Sequence, residues 1–152
     1  KIEKRKREVF METYEIVKKN FEDVFAKLSG GIGTLVLDNP KDISLSGLLI
    51  EASPKGKKLL NIDALSGGEK TLTSSAFLLA LQQYKPSSFY IVDEIDAALD
   101  KENSVKLAEL LSTAAAQFIL ITHNDQVMKF ADTVVGVSMQ EGVSQVVGVK
   151  LK

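Results

Sequence analysis

Two apolar runs constrain the fold most. Ser88-Phe89-Tyr90-Ile91-Val92 and Gln117-Phe118-Ile119-Leu120-Ile121 are each strand-length and uninterrupted by polar residues. Between them, Lys101 to Ala115 has helical character, with Asp100 placed to cap its start. Continuous apolar strands joined through a helix predict a parallel sheet covered by helices, the α/β class. In such sheets, ligands bind beyond the carboxyl ends of the strands. One run ends in Asp93-Glu94 and the other in Thr122-His123. If the strands are neighbours, two carboxylates and the only histidine face one edge.

Each of these residues also has a plain structural reading. Acidic residues after a strand often cap a helix, and a lone histidine is more often structural than catalytic. The shared edge favours function. There, Asp93 has the chemistry to hold Mg²⁺ against phosphate oxygens. Glu94, one residue on, can orient or deprotonate an attacking water. His123 can hydrogen-bond a terminal phosphate and sense its presence.

The tetrapeptide LSGG occurs twice, and its sequels differ. Leu28-Ser29-Gly30-Gly31 follows a stripe of Phe10, Tyr14, Val17, Phe21, Val24 and Leu28, spaced by four and three. That stripe predicts one helix from Ile2 to Leu28, in heptad register. The glycines after it then serve as a helix stop and linker, not as a ligand site. Thr34 to Leu37, the turn-rich Asp38 to Asp42, Leu48 to Ile50 and the turn Ser53-Pro54-Lys55-Gly56 predict a small β unit.

Leu65-Ser66-Gly67-Gly68 instead opens a Leu- and Ala-rich helix to Tyr84, stopped by Lys85-Pro86. The helix is apolar nearly all round, so deep burial is expected. Ser66 is at its N-cap. Gly67 and Gly68 leave the first free amides open to an anion, which the helix dipole favours. A simple Ser-capped core helix would look the same from these residues alone. Downstream, Asp125 to Ala131 reads as a short helix. Thr133 to Ser138 and Val143 to Val149 read as strands around a Gln140-Glu141-Gly142 turn.

Composition narrows the classes. Of 152 residues, 45% are hydrophobic, enough for one domain with a real core. The chain has no cysteine, which points away from a secreted disulfide scaffold and towards an intracellular protein. A formal net charge of -1 gives no global basic footprint for nucleic acid. The local run from Lys1 to Glu8 is basic but interleaved with acids, as on a solvated helix face; DNA contact is the alternative. No apolar run is long enough to span a membrane. A start at Lys1, inside a helical pattern, suggests a fragment of a longer protein.

Taken in order, LSGGEK, FYIVDE, AALD and ITHN resemble the signature motif, Walker B, D-loop and switch histidine of an ABC-type ATPase. The stretches VFMETYEIVKKNFEDVFAKLSGG and DEIDAALD further resemble the carboxy-terminal head lobe of a structural maintenance of chromosomes (SMC) protein. The resemblance covers nearly the whole chain. It implies a coiled-coil end over residues 1–28 and a carboxy-terminal ATPase head lobe over 29–152. It implies that Ser66, Gly67 and Gly68 contact the γ-phosphate of ATP bound to the opposite head. Asp100 then approaches the partner head's site. Asp93 serves Mg²⁺, Glu94 is the catalytic base and His123 is the switch residue.

No G-x-x-x-x-G-K-[ST] occurs in the sequence. In SMC proteins that loop lies in an amino-terminal lobe, so this chain is expected neither to bind ATP tightly nor to hydrolyse it alone. The implied partners are the amino-terminal SMC lobe, a second head, DNA through the full complex, and a kleisin winged-helix domain on the strands from Thr133 to Lys150. The implied location is cytoplasmic, on the chromosome or nucleoid. Double-strand-break repair ATPases and transporter subunits share these motifs but usually show Asp-Glu-Pro, where this chain has Ile95 after Glu94. A non-hydrolysing, partner-binding scaffold is the alternative of another class.

Overall fold

A computed structural model describes residues 2–54 and 58–150, with the side chains of 149 and 150 excepted. The turn expected at Ser53-Pro54-Lys55-Gly56 falls partly outside those residues, as do positions 1, 151 and 152.

Helix α1 runs Ile2–Ser29. Its apolar stripe does what the spacing predicts in its second half, where Val17, Phe21, Val24, Phe25 and Leu28 are buried. Phe10 is exposed and Tyr14 half-buried, so the first half projects from the body. Within that half, the Arg7 guanidinium donates to the carbonyls of Pro40 (3.3 Å) and Lys41 (3.2 Å), tying the basic end to the loop after β1. The stop is the expected glycine: Gly30 has φ 65° and its N–H returns to the Ala26 carbonyl at 2.9 Å. Ser29 serves the same turn, donating to Phe25 O and accepting from Gly31 N.

Strands β1 (Ile32–Leu37) and β2 (Leu48–Ser53) pair antiparallel, and the short β3 (Leu60–Asn61) adds to β2. Along β1, every second residue from Gly33 is buried, so one face lies on the core. Tyr14 fastens α1 to this sheet by donating to the Leu35 carbonyl at 2.7 Å. After a 3-10 turn at Ile62–Ala64, α2 spans Gly67–Tyr84. Glu69 accepts from both the Ser66 N–H (3.0 Å) and the Ser66 hydroxyl (2.8 Å), bracing the helix start.

The core lies between α1 and α2. Phe21, Phe25 and Leu28 meet Leu72, Ala76 and Leu79, with Leu35, Ala52, Leu107 and Leu111 closing the cluster. Phe77 meets Phe21 edge-on at 6.2 Å.

Beyond this core, β4 (Phe89–Asp93) and β5 (Gln117–Ile121) pair in parallel, connected through α3 (Lys101–Ser112). A short α4 (Asp125–Met128) precedes the hairpin of β6 (Thr133–Gln140) and β7 (Val143–Lys150). Glu141 (φ 51°) and Gly142 (φ 79°) make its two-residue turn.

The expected parallel sheet forms, among the described residues, as a pair of strands with one face left open. Tyr90, Val92, Phe118 and Leu120 turn inward, while Ile91 (66% exposed) and Ile121 (49%) face solvent. Against expectation, α2 is not buried all round, since Leu78 and Leu81 are each 40% exposed. A continuous apolar run does not say which of its faces the rest of the chain covers. Smaller differences are at helix ends. Helix α3 stops at Ser112, three residues before the expected Ala115, and α4 stops at Met128.

Candidate functional site

The edge predicted from the strand ends forms. Register pairs Asp93 with Ile121, and the Glu94 N–H donates to the Ile121 carbonyl at 2.9 Å, extending the ladder by one residue. Glu94 has φ 46°, a left-handed conformation that a residue with a side chain adopts at a cost. The chain turns out of the strand there. Glu94 Oε1 lies 3.0 Å from His123 Nε2. Asp93, Glu94 and His123 are all exposed. A carboxylate touching an imidazole at a solvent-facing strand edge can accept a proton from water and hold a polar group beside it.

The loop after Glu94 is tightly built. Ala97 N bonds Glu94 O (3.1 Å), and Leu99 N bonds Asp96 O (3.0 Å). Asp100 then caps α3, accepting from the Asn103 N–H (2.8 Å) and the Asn103 side-chain amide (3.0 Å).

The remaining expected residues gather elsewhere. Ser66, Gly68 and Asp100 line one cleft of about 340 Å³, with Glu69, Ala98 and Asn103. A side chain at Gly67 would meet nothing within 4 Å, so the first turn of α2 is open there. Gly68 is different: a Cβ would lie 2.7 Å from the Ala98 carbonyl oxygen. The seven predicted residues thus form two groups. Asp93, Glu94 and His123 share the strand edge, whereas Ser66, Gly67, Gly68 and Asp100 surround the helix tip. Ser29, from the first LSGG, also borders the cleft, although its hydroxyl is engaged in ending α1.

Sequence reasoning missed Asp96 and its link to Thr122. Asp96 is buried, and it accepts from the Thr122 hydroxyl at 2.8 Å. The signal was present as a third acid in Asp93-Glu94-Ile95-Asp96, but burial of an acid is not visible in one sequence.

The donor set suits phosphates better than a resident metal. Among the described residues, no group of three or more His, Cys, Asp or Glu is placed to hold a metal ion. Mg²⁺ asks less, since one or two carboxylates suffice when phosphates complete its shell. Exposed Asp93 fits that requirement, and the open space at Gly67 leaves room for a phosphate at the start of α2.

The fold is mixed α/β, with a parallel strand pair ending in acids beside a Ser-Gly-Gly helix tip. Comparison with known proteins narrows the class. Residues 10–145 match the family model described as RecF/RecN/SMC N terminal domain. The chromosome partition protein Smc of Methanocaldococcus jannaschii is 51% identical over 99% of this chain, and that of Pyrococcus furiosus likewise 51% over 99%. The chain spans 13% of the length of each.

Among solved structures, the Smc head domain of P. furiosus, with an extended coiled coil and bound to the C-terminal domain of ScpA, superposes with a TM-score of 0.94. It is 50% identical and covers 99% of this chain and 38% of that one. A structure from work on ATP-driven dimerisation and DNA-stimulated activation of SMC ATPases gives 0.88 at 48% identity, covering 95% of this chain and 90% of that one. The chain belongs to the RecF/RecN/SMC family and is part of an SMC head.

Proposed function

We propose that this chain is the carboxy-terminal lobe of an SMC ATPase head. With an amino-terminal lobe carrying the Walker A loop, it binds and hydrolyses ATP between two heads, driving chromosome condensation, cohesion or segregation. One observation carries the reading: Ser66, Gly68 and Asp100 line a cleft that Asp93, Glu94 and His123 do not. Glu94 and His123 serve ATP held by their own head, while Ser66, Gly67, Gly68 and Asp100 face the ATP of the opposite head.

In this scheme Glu94 takes a proton from the attacking water, and His123, beside it, contacts the terminal phosphate. Asp93 would hold Mg²⁺, which when bound would supply charge neutralisation at the phosphate oxygens. Ser66 and the amides of Gly67 and Gly68 bind the γ-phosphate in trans.

The open apolar faces support an incomplete head. Phe89, Ile91, Ile119 and Ile121 on the parallel pair, and Leu78 and Leu81 on α2, are exposed. Apolar surface of this extent marks an interaction site, and we assign it to the amino-terminal lobe. The β6–β7 hairpin exposes Val135, Val137, Met139, Val146 and Val147; we assign it to a kleisin winged-helix domain, since an Smc head is known bound to the C-winged helix domain of ScpA. Half identity to chromosome partition Smc proteins favours this reading over a repair ATPase. No helix among the described residues is long and apolar enough to cross a membrane. We place the assembled protein in the cytoplasm, on the chromosome.

The test is to mix this chain with its amino-terminal lobe and follow dimerisation and phosphate release. ATP-dependent dimers and turnover are expected only in the mixture. Robust, Glu94-dependent turnover by this chain alone would refute the half-head assignment.

A further inference from the structure

We propose that Asp96 is a positioning residue for the Glu94–His123 pair, acting through Thr122; the proposal rests on the hydrolytic reading of that pair. Asp96 is 4% exposed and, among the described residues, it is the only charged side chain that is buried. A buried carboxylate is costly unless hydrogen bonds compensate it. Its Oδ2 accepts from Thr122 Oγ1 at 2.8 Å, and the same oxygen of Thr122 accepts from the Asn124 N–H at 2.9 Å.

The placement is what gives the bond a function. Asp96 is two residues after Glu94, and Thr122 immediately precedes His123. Beside the Glu94 N–H to Ile121 bond, a part-buried side-chain hydrogen bond thus joins the loops leaving β4 and β5, and the two outward residues flank it. The Glu94–His123 contact cannot hold its own geometry. Its side chains are 48% and 89% exposed, and polar contacts between solvated side chains are weak. Beyond the last ladder bond, the Asp96–Thr122 bond fixes how the two loops leave the strands and so keeps the imidazole within reach of the carboxylate. Small misplacements of catalytic groups are expensive in rate.

The test uses the whole SMC protein with its own amino-terminal lobe. Thr122→Val keeps the shape and removes the donor; Thr122→Ser keeps the donor. Thr122→Val should lower kcat by about tenfold to a hundredfold, with the KM for ATP and ATP-dependent dimerisation unchanged within about twofold. Thr122→Ser should stay close to the unmodified protein. Equal losses in the two variants, unchanged kcat in Thr122→Val, or a rise in KM alone would each overturn the positioning role. Glu94→Gln is measured in parallel. If Glu94→Gln removes turnover while Thr122→Val does not, the positioning role alone fails. If Glu94→Gln leaves turnover intact, the hydrolytic reading fails first and takes this proposal with it.

Discussion

The carbonyl oxygen of Ala98 occupies the space that a side chain on Gly68 would need, 2.7 Å from where a Cβ would sit. The tip of α2 is thereby seated on the loop that follows Glu94. Gly68→Ala must push backbone against backbone, and a loss of about 1–3 kcal/mol is expected from such overpacking. Gly67 faces open space, so Gly67→Ala should change stability by no more than about 0.5 kcal/mol. It should still weaken ATP-dependent dimerisation, because its methyl group fills the approach to the first amides. Urea unfolding of the assembled head, with sizing chromatography, separates the two effects; equal destabilisation by both substitutions would contradict the assignment.

Glutamine at position 94 keeps the shape of the carboxylate but cannot accept a proton. We expect Glu94→Gln to lower turnover by a factor on the order of 10² to 10⁴ and to leave ATP-bound dimers accumulated. Phosphate release and dimer fraction are the measurements. Unchanged turnover would favour the scaffold reading.

Helix α3 offers two opposed substitutions four residues apart. Asp100 satisfies the Asn103 N–H at 2.8 Å, so Asp100→Ala should cost about 1 kcal/mol of stability. The Ser104 hydroxyl is fully buried, with no hydrogen-bond partner among the described residues. Ser104→Ala should therefore be neutral, or stabilising by up to about 1 kcal/mol. Thermal melts of the two variants should move in different directions or differ clearly in size.

Gly33 lies under the rings that close the core. A Cβ there would approach Phe25 to 2.8 Å and Phe21 to 3.0 Å. Gly33→Ala should cost about 1–3 kcal/mol through displaced aromatic rings, measured by denaturant midpoint. A midpoint shift near zero would mean that the α1–β1 contact is looser than described.

Much of this architecture was legible because it is written in local rules. The stripe from Val17 to Leu28 requires a buried helix face, and Gly30 ends that helix with a positive φ. Ser66 and Asp100 open their helices as capping residues must. Strand ends bearing Asp93-Glu94 and Thr122-His123 point to a shared edge as soon as the strands are taken as neighbours. Phe25 escaped the stripe because the helix buries a wider arc than a strict heptad seam.

Other features depend on long-range packing and have no local signature. That β4 and β5 are adjacent brings Glu94 to 3.0 Å from His123, and Phe118 and Leu120 pack on the core that Leu107 and Leu111 of α3 help to form. That Asp96 points inward to Thr122, and Gly68 meets Ala98, follows from how two loops close on each other. Residue order sets spacing, caps and periodicity because those act within a few positions along the chain. Which atoms finally touch is settled by burial of surfaces far apart in sequence, and in this chain some of those surfaces still face solvent.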